Sequence, residues 1–281
     1  MLKRLPVGVP TFAKIIEGNY LYVDKTRLIY ELVSPPTGAY FLSRPRRFGK
    51  SVLISTLAEI FSGNKELFKG LALYNLDYEW TEYPVIRLDF SRIQARSAAE
   101  LELGLKRFLQ RVARKHGITL YDDPLPLLFD ELLYQLSDKG NVVILVDEYD
   151  KPLIDNLANL EEAVLIRDLL KRFYGIMKGA DEHIRFVFLT GISRFSRVGV
   201  FSDLNNLFDI SLDDKFATLT GITQEELETN FADHLTQYAT EQSIFRVSIL
   251  EKIRHWYNGF CFSANGAAVY NPFSLLVFFS R

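Results

Sequence analysis

The sequence predicts an α/β fold, a mainly parallel sheet flanked by helices, followed by a small, mainly helical C-terminal part. Three observations predict it. Strand-length apolar segments alternate with segments of helical periodicity along most of the chain. Two of those segments, 141–146 and 184–189, are apolar on both faces, as strands buried inside a parallel sheet are. From Asp213 onward the pattern is helical, so the reading divides the chain into a core over 1–212 and a helical, lid-like part over 213–281.

The first segment, Leu5 to Gly38, carries Phe12, Ile15, Ile16, Tyr20, Tyr22 and Val23. It continues into Asp24-Lys25-Thr26 and a helix with Leu28, Ile29, Leu32 and Val33 on one side. Asp24 suits an N-cap, because its carboxylate accepts from the free amides of a first turn. Phe12 and Tyr22 are core candidates, with a place against an adenine as the competing reading.

Ala39-Tyr40-Phe41-Leu42 reads as a buried strand, and Val52, Leu53, Thr56, Leu57, Ile60 and Phe61 recur at helical spacing. Between them lies Ser43-Arg44-Pro45-Arg46-Arg47-Phe48-Gly49-Lys50-Ser51. A strand–loop–helix turn with Gly-Lys-Ser at the helix start resembles a phosphate-binding loop. Backbone amides at the positive helix end, a lysine charge and a hydroxyl for Mg²⁺ are what the phosphates of a nucleotide triphosphate require. The nucleotide-contacting stretch is therefore Arg46, Arg47, Phe48, Gly49, Lys50, Ser51 and Val52, with Ser51 also a metal ligand. The pattern G-x-x-x-x-G-K-[ST] is broken at its first glycine, where Arg44 stands; like Arg46 and Arg47, Arg44 is assigned to phosphates.

Val85 to Phe90 alternates as a strand, and a helix from Ala98 to Lys115 sets Leu101, Leu105, Phe108, Leu109 and Val112 against a cationic face read as solvated. After a helix over Leu125 to Leu136, the strand Asn141 to Val146 ends in Asp147 and Glu148. Ligands of parallel sheets gather beyond the carboxyl ends of the strands, so Asp147 is assigned to Mg²⁺ and Glu148 to activation of the attacking water. A helix around Ala163 to Met177 precedes Ile184 to Gly191, whose Thr190 should emerge beside the two acids and hydrogen-bond the water or the γ-phosphate. Arg194 and Arg197 in the following loop are candidates for an in-chain arginine finger. Thr223 and Glu226 form a capping-box pattern, a later helix spans Ile249 to Tyr257, and Asn271-Pro272 should cap a last apolar helix that packs on this chain or meets a further domain.

Composition narrows the function classes. With 281 residues, 48% hydrophobic and 24% charged, the chain has a globular, not a disordered, composition. A net charge of −2 argues against an overall nucleic-acid footprint. One cysteine and four scattered histidines offer neither a disulfide framework nor a zinc module. No secretory signal or membrane-length apolar run is read, and the cytoplasm is the expected location.

Taken in order, Val23-Asp24-Lys25-Thr26, Arg44 to Ser51, Val146 to Asp150, Thr190 to Ser196, Trp256 to Phe260 and Tyr270 to Pro272 resemble the bacterial and archaeal AAA-ATPase-like family. In it a P-loop ATPase is commonly followed by a PD-(D/E)XK-type nuclease domain. The resemblance covers nearly the whole chain and implies a P-loop NTPase core of the additional-strand type with a helical lid. It also implies ATP and Mg²⁺ as cofactors, and in that family arginine at the first P-loop glycine looks usual. No spaced acid and lysine set follows Asn271, so nuclease activity is not expected of this chain. The leading expectation is Mg²⁺-dependent ATP hydrolysis acting as a conformational switch; the alternative is a nucleotide-gated interaction module with little or no hydrolysis. A protein partner or a homo-oligomer fits either, and nucleic acid enters only through an absent downstream domain.

Overall fold

A computed structural model describes residues 2–194, 200–201 and 206–280. Helices α1 (Phe12–Glu17) and α2 (Thr26–Val33) precede strand β1 (Gly38–Ser43) and helix α3 (Lys50–Phe61). Strand β2 (Val85–Asp89) is followed by α4 (Ala98–Lys115) and α5 (Leu125–Ser137), then by β3 (Val142–Asp147), α6 (Lys151–Asp155) and α7 (Leu160–Gly179). Strand β4 (Ile184–Gly191) and the two-residue β5 (Phe208–Asp209) complete the sheet, and α8 (Gln224–Asn230), α9 (Ala232–Gln242), α10 (Arg246–Tyr257) and α11 (Pro272–Phe279) follow.

The sheet runs β2-β3-β4-β1-β5, parallel throughout. Strand β4 is inserted between β1 and β3, the arrangement of the additional-strand P-loop class. It brings the end of β4 between the phosphate-loop strand and the acidic strand, with Ser43 opposite Gly191 and Asp89 opposite Asp147.

The alternation of β3 shows why every one of its residues is apolar before the acid. Val142, Ile144 and Val146 pack into the layer built by α4, α5 and α7, while Val143 and Leu145 pack into the layer of α1, α2 and α3. A strand buried on both faces needs apolar side chains at both parities. A third core joins α8 to α11 and takes in Leu21 from the N-terminal arm, with Leu5 and Val23 against it. The arm therefore belongs to the packing of both the sheet and the C-terminal helices.

Capping follows the side-chain chemistry. Thr223 and Glu226 form a reciprocal capping box, and Asn271 accepts from the Ser274 amide with Pro272 at the first position of α11. In α11, Leu275 is fully buried, Phe279 stacks on Phe231 and Phe278 meets Tyr238, so the last apolar helix packs on this chain. Asp24 sits one residue before the N-cap position, which Lys25 occupies. Its Oδ1 accepts from the Thr26 amide and its Oδ2 from the Ala72 amide. The mixed stretch around Leu207 to Ile210 supplies β5.

Candidate nucleotide site

Strand β1 ends at Ser43, and α3 begins at Lys50 after Gly49, whose φ of 86° lies in the left-handed region. A Cβ on Gly49 would meet nothing within 4 Å, so its backbone angle, not its space, calls for glycine. Arg47 and Glu148 are non-glycine residues at positive φ, 63° and 53°. Such conformations are uncommon outside glycine and gather at functional sites.

The loop's side chains divide by direction. Lys50 Nζ donates to the carbonyls of Arg44 and Pro45, both at 2.9 Å. Burial lowers its pKa, with Asp147, Glu148 and Asp150 pulling the other way. Arg44 is turned inward: it is buried, donates to the carbonyls of Ser43, Ser211 and Phe216, and lies 4.0 Å over the Phe262 ring. Burial takes its pKa down to about 10. The assignment of Arg44 to phosphates is thus corrected, because its guanidinium is spent on backbone carbonyls that join the loop to residues 211–216. Phe48 is likewise fully buried, edge-on to Phe260 and Phe262, and Arg47 lies 4.1 Å over Phe273 of α11. Only the backbone of Phe48 remains for a ligand.

Across the sheet, the buried Asp147 accepts from the Thr190 hydroxyl at 2.7 Å and from the Glu148 amide at 3.1 Å. Thr190 emerges beside the acids as expected, but it is fully buried and its proton goes to Asp147. It therefore positions that carboxylate, and it is not among the residues of the cavity wall. The Glu148 carboxyl is held above its ordinary range by desolvation first and by the charges of Asp147 and Asp89 next. The Asp150 carboxylate accepts from the Ile192 and Ser193 amides, pinning the loop after β4. Arg194 donates Nε and Nη2 to Asp209 Oδ2, so its guanidinium is held at β5 and is not in the cavity wall. Arg197, with Phe195 and Ser196 of the same motif, lies outside the described residues.

A cavity of about 780 Å³ opens above these elements. Its wall includes Arg46 to Leu53, Ser91, Glu148 and Lys151. The arm contributes Pro6, Val9, Pro10 and Tyr22, and the C-terminal part contributes Leu219 to Ile222. One section is thus cationic, hydroxyl-bearing and acidic, and another is apolar. Thr220 lies in the apolar section, buried, and among the described residues its hydroxyl has no hydrogen-bond partner. Tyr22 lines the cavity, whereas Phe12 is wholly buried against Phe68 and Tyr22, so Phe12 is excluded from facing a base.

Sequence reasoning missed several members. Lys25 lines the cavity and bonds Glu226, at 2.6 Å to each oxygen, joining the arm to the capping box of α8. Asp89, which lies outside the cavity wall but whose charge acts on Glu148, stood unremarked inside the strand read as Val85 to Phe90; its position opposite Asp147 follows once β2 and β3 are paired in register. Among the described residues no three or more His, Cys, Asp or Glu gather as a metal cage. Mg²⁺ needs none, since one or two carboxylates and the substrate phosphates suffice.

The chain matches the model of the Predicted AAA-ATPase family over residues 6–201. It belongs to that family. A curated relative, "Uncharacterized protein in vnfD 5'region" from Azotobacter chroococcum mcd 1, is 43% identical over 283 residues. That match takes in 99% of this chain and 52% of the relative, so the chain spans about half the relative's length. Among solved structures, Cdc6p from Pyrobaculum aerophilum aligns with 72% of this chain and 45% of its own, at 12% identity and a TM-score of 0.36. Membership of the Predicted AAA-ATPase family supports an ATPase-type nucleotide-binding function. Among the described residues no helix is long and apolar enough to cross a membrane.

Proposed function

We propose that this AAA-ATPase-like chain binds Mg²⁺-ATP in the cavity and hydrolyses it, using turnover to switch the packing of the C-terminal helices on the phosphate loop. The observation that carries the reading is that Lys50 and Ser51 of the loop motif and Glu148 of the acidic strand end, almost a hundred positions apart in the sequence, line one cavity. Lys50 supplies a charge for the β- and γ-phosphates, and the amides of the α3 start supply donors. Mg²⁺, when bound, would neutralise phosphate charge, with Ser51 and Asp147 as the residues to hold it. The apolar section and the unpartnered Thr220 hydroxyl suit a base, which offers both a ring face and hydrogen-bonding edges.

Glu148 takes the proton of the attacking water on its carboxylate as the oxygen bonds to the γ-phosphorus and the β–γ bridging oxygen leaves with ADP. Its raised pKa makes it a stronger base than an ordinary carboxylate. Thr190 and the Glu148 amide hold Asp147 in one orientation from behind. Glu148→Gln keeps the shape and cannot accept the proton, so it should bind Mg²⁺-ATP as wild type does and lose phosphate release by about a hundredfold or more. Turnover at the wild-type rate would remove Glu148 from the mechanism.

A further inference from the structure

A second concavity, of about 450 Å³, lies between β2, the turn after it and α4, and no residue lines both it and the nucleotide cavity. Its wall holds four arginines, Arg87, Arg92, Arg107 and Arg111, against two carboxylates, Asp89 and Glu100. Both carboxylates are already engaged. Asp89 accepts from Ser91 and pairs with Arg92 at 3.1 Å, and Glu100 accepts the Arg96 amide at 2.7 Å. Among the described residues, Arg87, Arg107 and Arg111 reach no carboxylate within ion-pair distance. Arg111 is steadied 5.7 Å from the Phe108 ring.

One charge on an edge strand would be enough to discourage edge pairing. Three unpaired guanidiniums around one hollow repel one another, and the repulsion is relieved by an anion in their midst. The hollow is also held in shape. A Cβ on Gly104 would come 2.6 Å from Ile93, so α4 lies tightly on the turn after β2, and Arg107 and Arg111, one helical turn apart, project from one face of α4 while Arg87 faces them from the sheet.

We infer that this cleft is a binding site for a compact phosphate-bearing anion, gripped by Arg87, Arg107 and Arg111 and separate from the nucleotide cavity. Guanidinium forks match phosphate oxygens in pairs, which lysine cannot reproduce. The cationic face of α4, read from the sequence as solvated, has this use.

The test is calorimetric titration of inorganic pyrophosphate into Lys50→Ala, or into wild-type protein saturated with a non-hydrolysable ATP analogue, so that the phosphate loop does not contribute. Binding should persist there, weaken by about tenfold or more in Arg107→Gln/Arg111→Gln and in Arg87→Gln, and stay unchanged in Arg114→Gln, an α4 arginine outside the cleft. Circular dichroism matched to wild type establishes that each variant is folded, and the substitutions on two different elements guard against one misfolded variant. Three results would overturn the inference: loss of all pyrophosphate binding once the phosphate loop is removed or filled, wild-type affinity in the folded arginine variants, or arginine-dependent binding of a short oligothymidylate with none of pyrophosphate.

Discussion

Phe48→Ala should destabilise the whole chain through the contact between the phosphate loop and the C-terminal part. The ring has no exposed surface and meets Phe260 at 4.8 Å and Phe262 at 5.2 Å between centroids. Gly221 has room for no more than a hydrogen beside it, since a Cβ there would lie 3.0 Å from the ring and closer still to Val269. Truncating a buried phenylalanine to alanine costs about 3–5 kcal/mol. Phe260 is 37% exposed, so the hollow left behind is one ring from solvent and can partly relax, which favours the lower end, about 3 kcal/mol. At roughly 2–4 °C per kcal/mol, the melting temperature should fall by about 10 °C, and Phe48→Leu should lose less than half as much. Thermal unfolding by circular dichroism, with and without Mg²⁺-ATP, is the measurement. An unchanged melting temperature together with weakened nucleotide binding would mean that the ring serves the ligand, and would refute the packing account.

Four further outcomes are expected. Lys50→Ala should weaken triphosphate binding by about a hundredfold with the fold intact, because Nζ is a point charge and α3 is held by its apolar face; equal affinity in a nucleotide titration would disprove the phosphate-loop assignment. The acid limb of turnover should have its midpoint above the ordinary carboxylate value of 4.5, since Glu148 must be ionised to act, and Asp89→Asn should move that midpoint down by removing a neighbouring negative charge. The same raised pKa means that the contribution of Glu148 to stability is complete at low pH and lost as pH rises through its folded pKa, so Glu148→Gln should be the more stable protein above that point. Lys25→Met strands a carboxylate that is 24% exposed and should cost about 2 kcal/mol, whereas Glu226→Gln keeps the capping box; a double-mutant cycle by denaturant unfolding should show coupling of about 1 kcal/mol or more, and additive losses would deny the ion pair any role.

Much of the architecture was legible because burial on both faces leaves a direct mark on sequence. Strand β3 and strand β4 declared themselves by uninterrupted apolar runs, and the caps at Thr223 and Asn271 by residue type and spacing. The acids and the lysine were legible because their chemistry sits at fixed offsets from strand ends. What stayed hidden was side-chain direction. Arg44, Phe48 and Arg47 stand among phosphate-binding positions in the sequence, yet their side chains meet Phe262, Phe260 and Phe273, residues more than two hundred positions away that no local pattern points to. Lys25 and Glu226 pair over 201 residues for the same reason. The role of Thr190 was hidden by a difference of one hydrogen bond, since a strand-terminal hydroxyl can face outward to a ligand or sideways to the next strand's acid.

The inward turn of Arg44 and Phe48 has a mechanical meaning. Arg44 and Phe48 pack on Phe262 and Phe260 of the segment between α10 and α11, so under the proposed switch a shift of the phosphate loop would have to move those rings. By thermodynamic reciprocity, a protein that bound the C-terminal part more tightly in the presence of nucleotide would raise the affinity for nucleotide by the same factor. On that reading, an agent bound at Phe260, which lies outside the cavity wall, would alter nucleotide affinity without touching the phosphates.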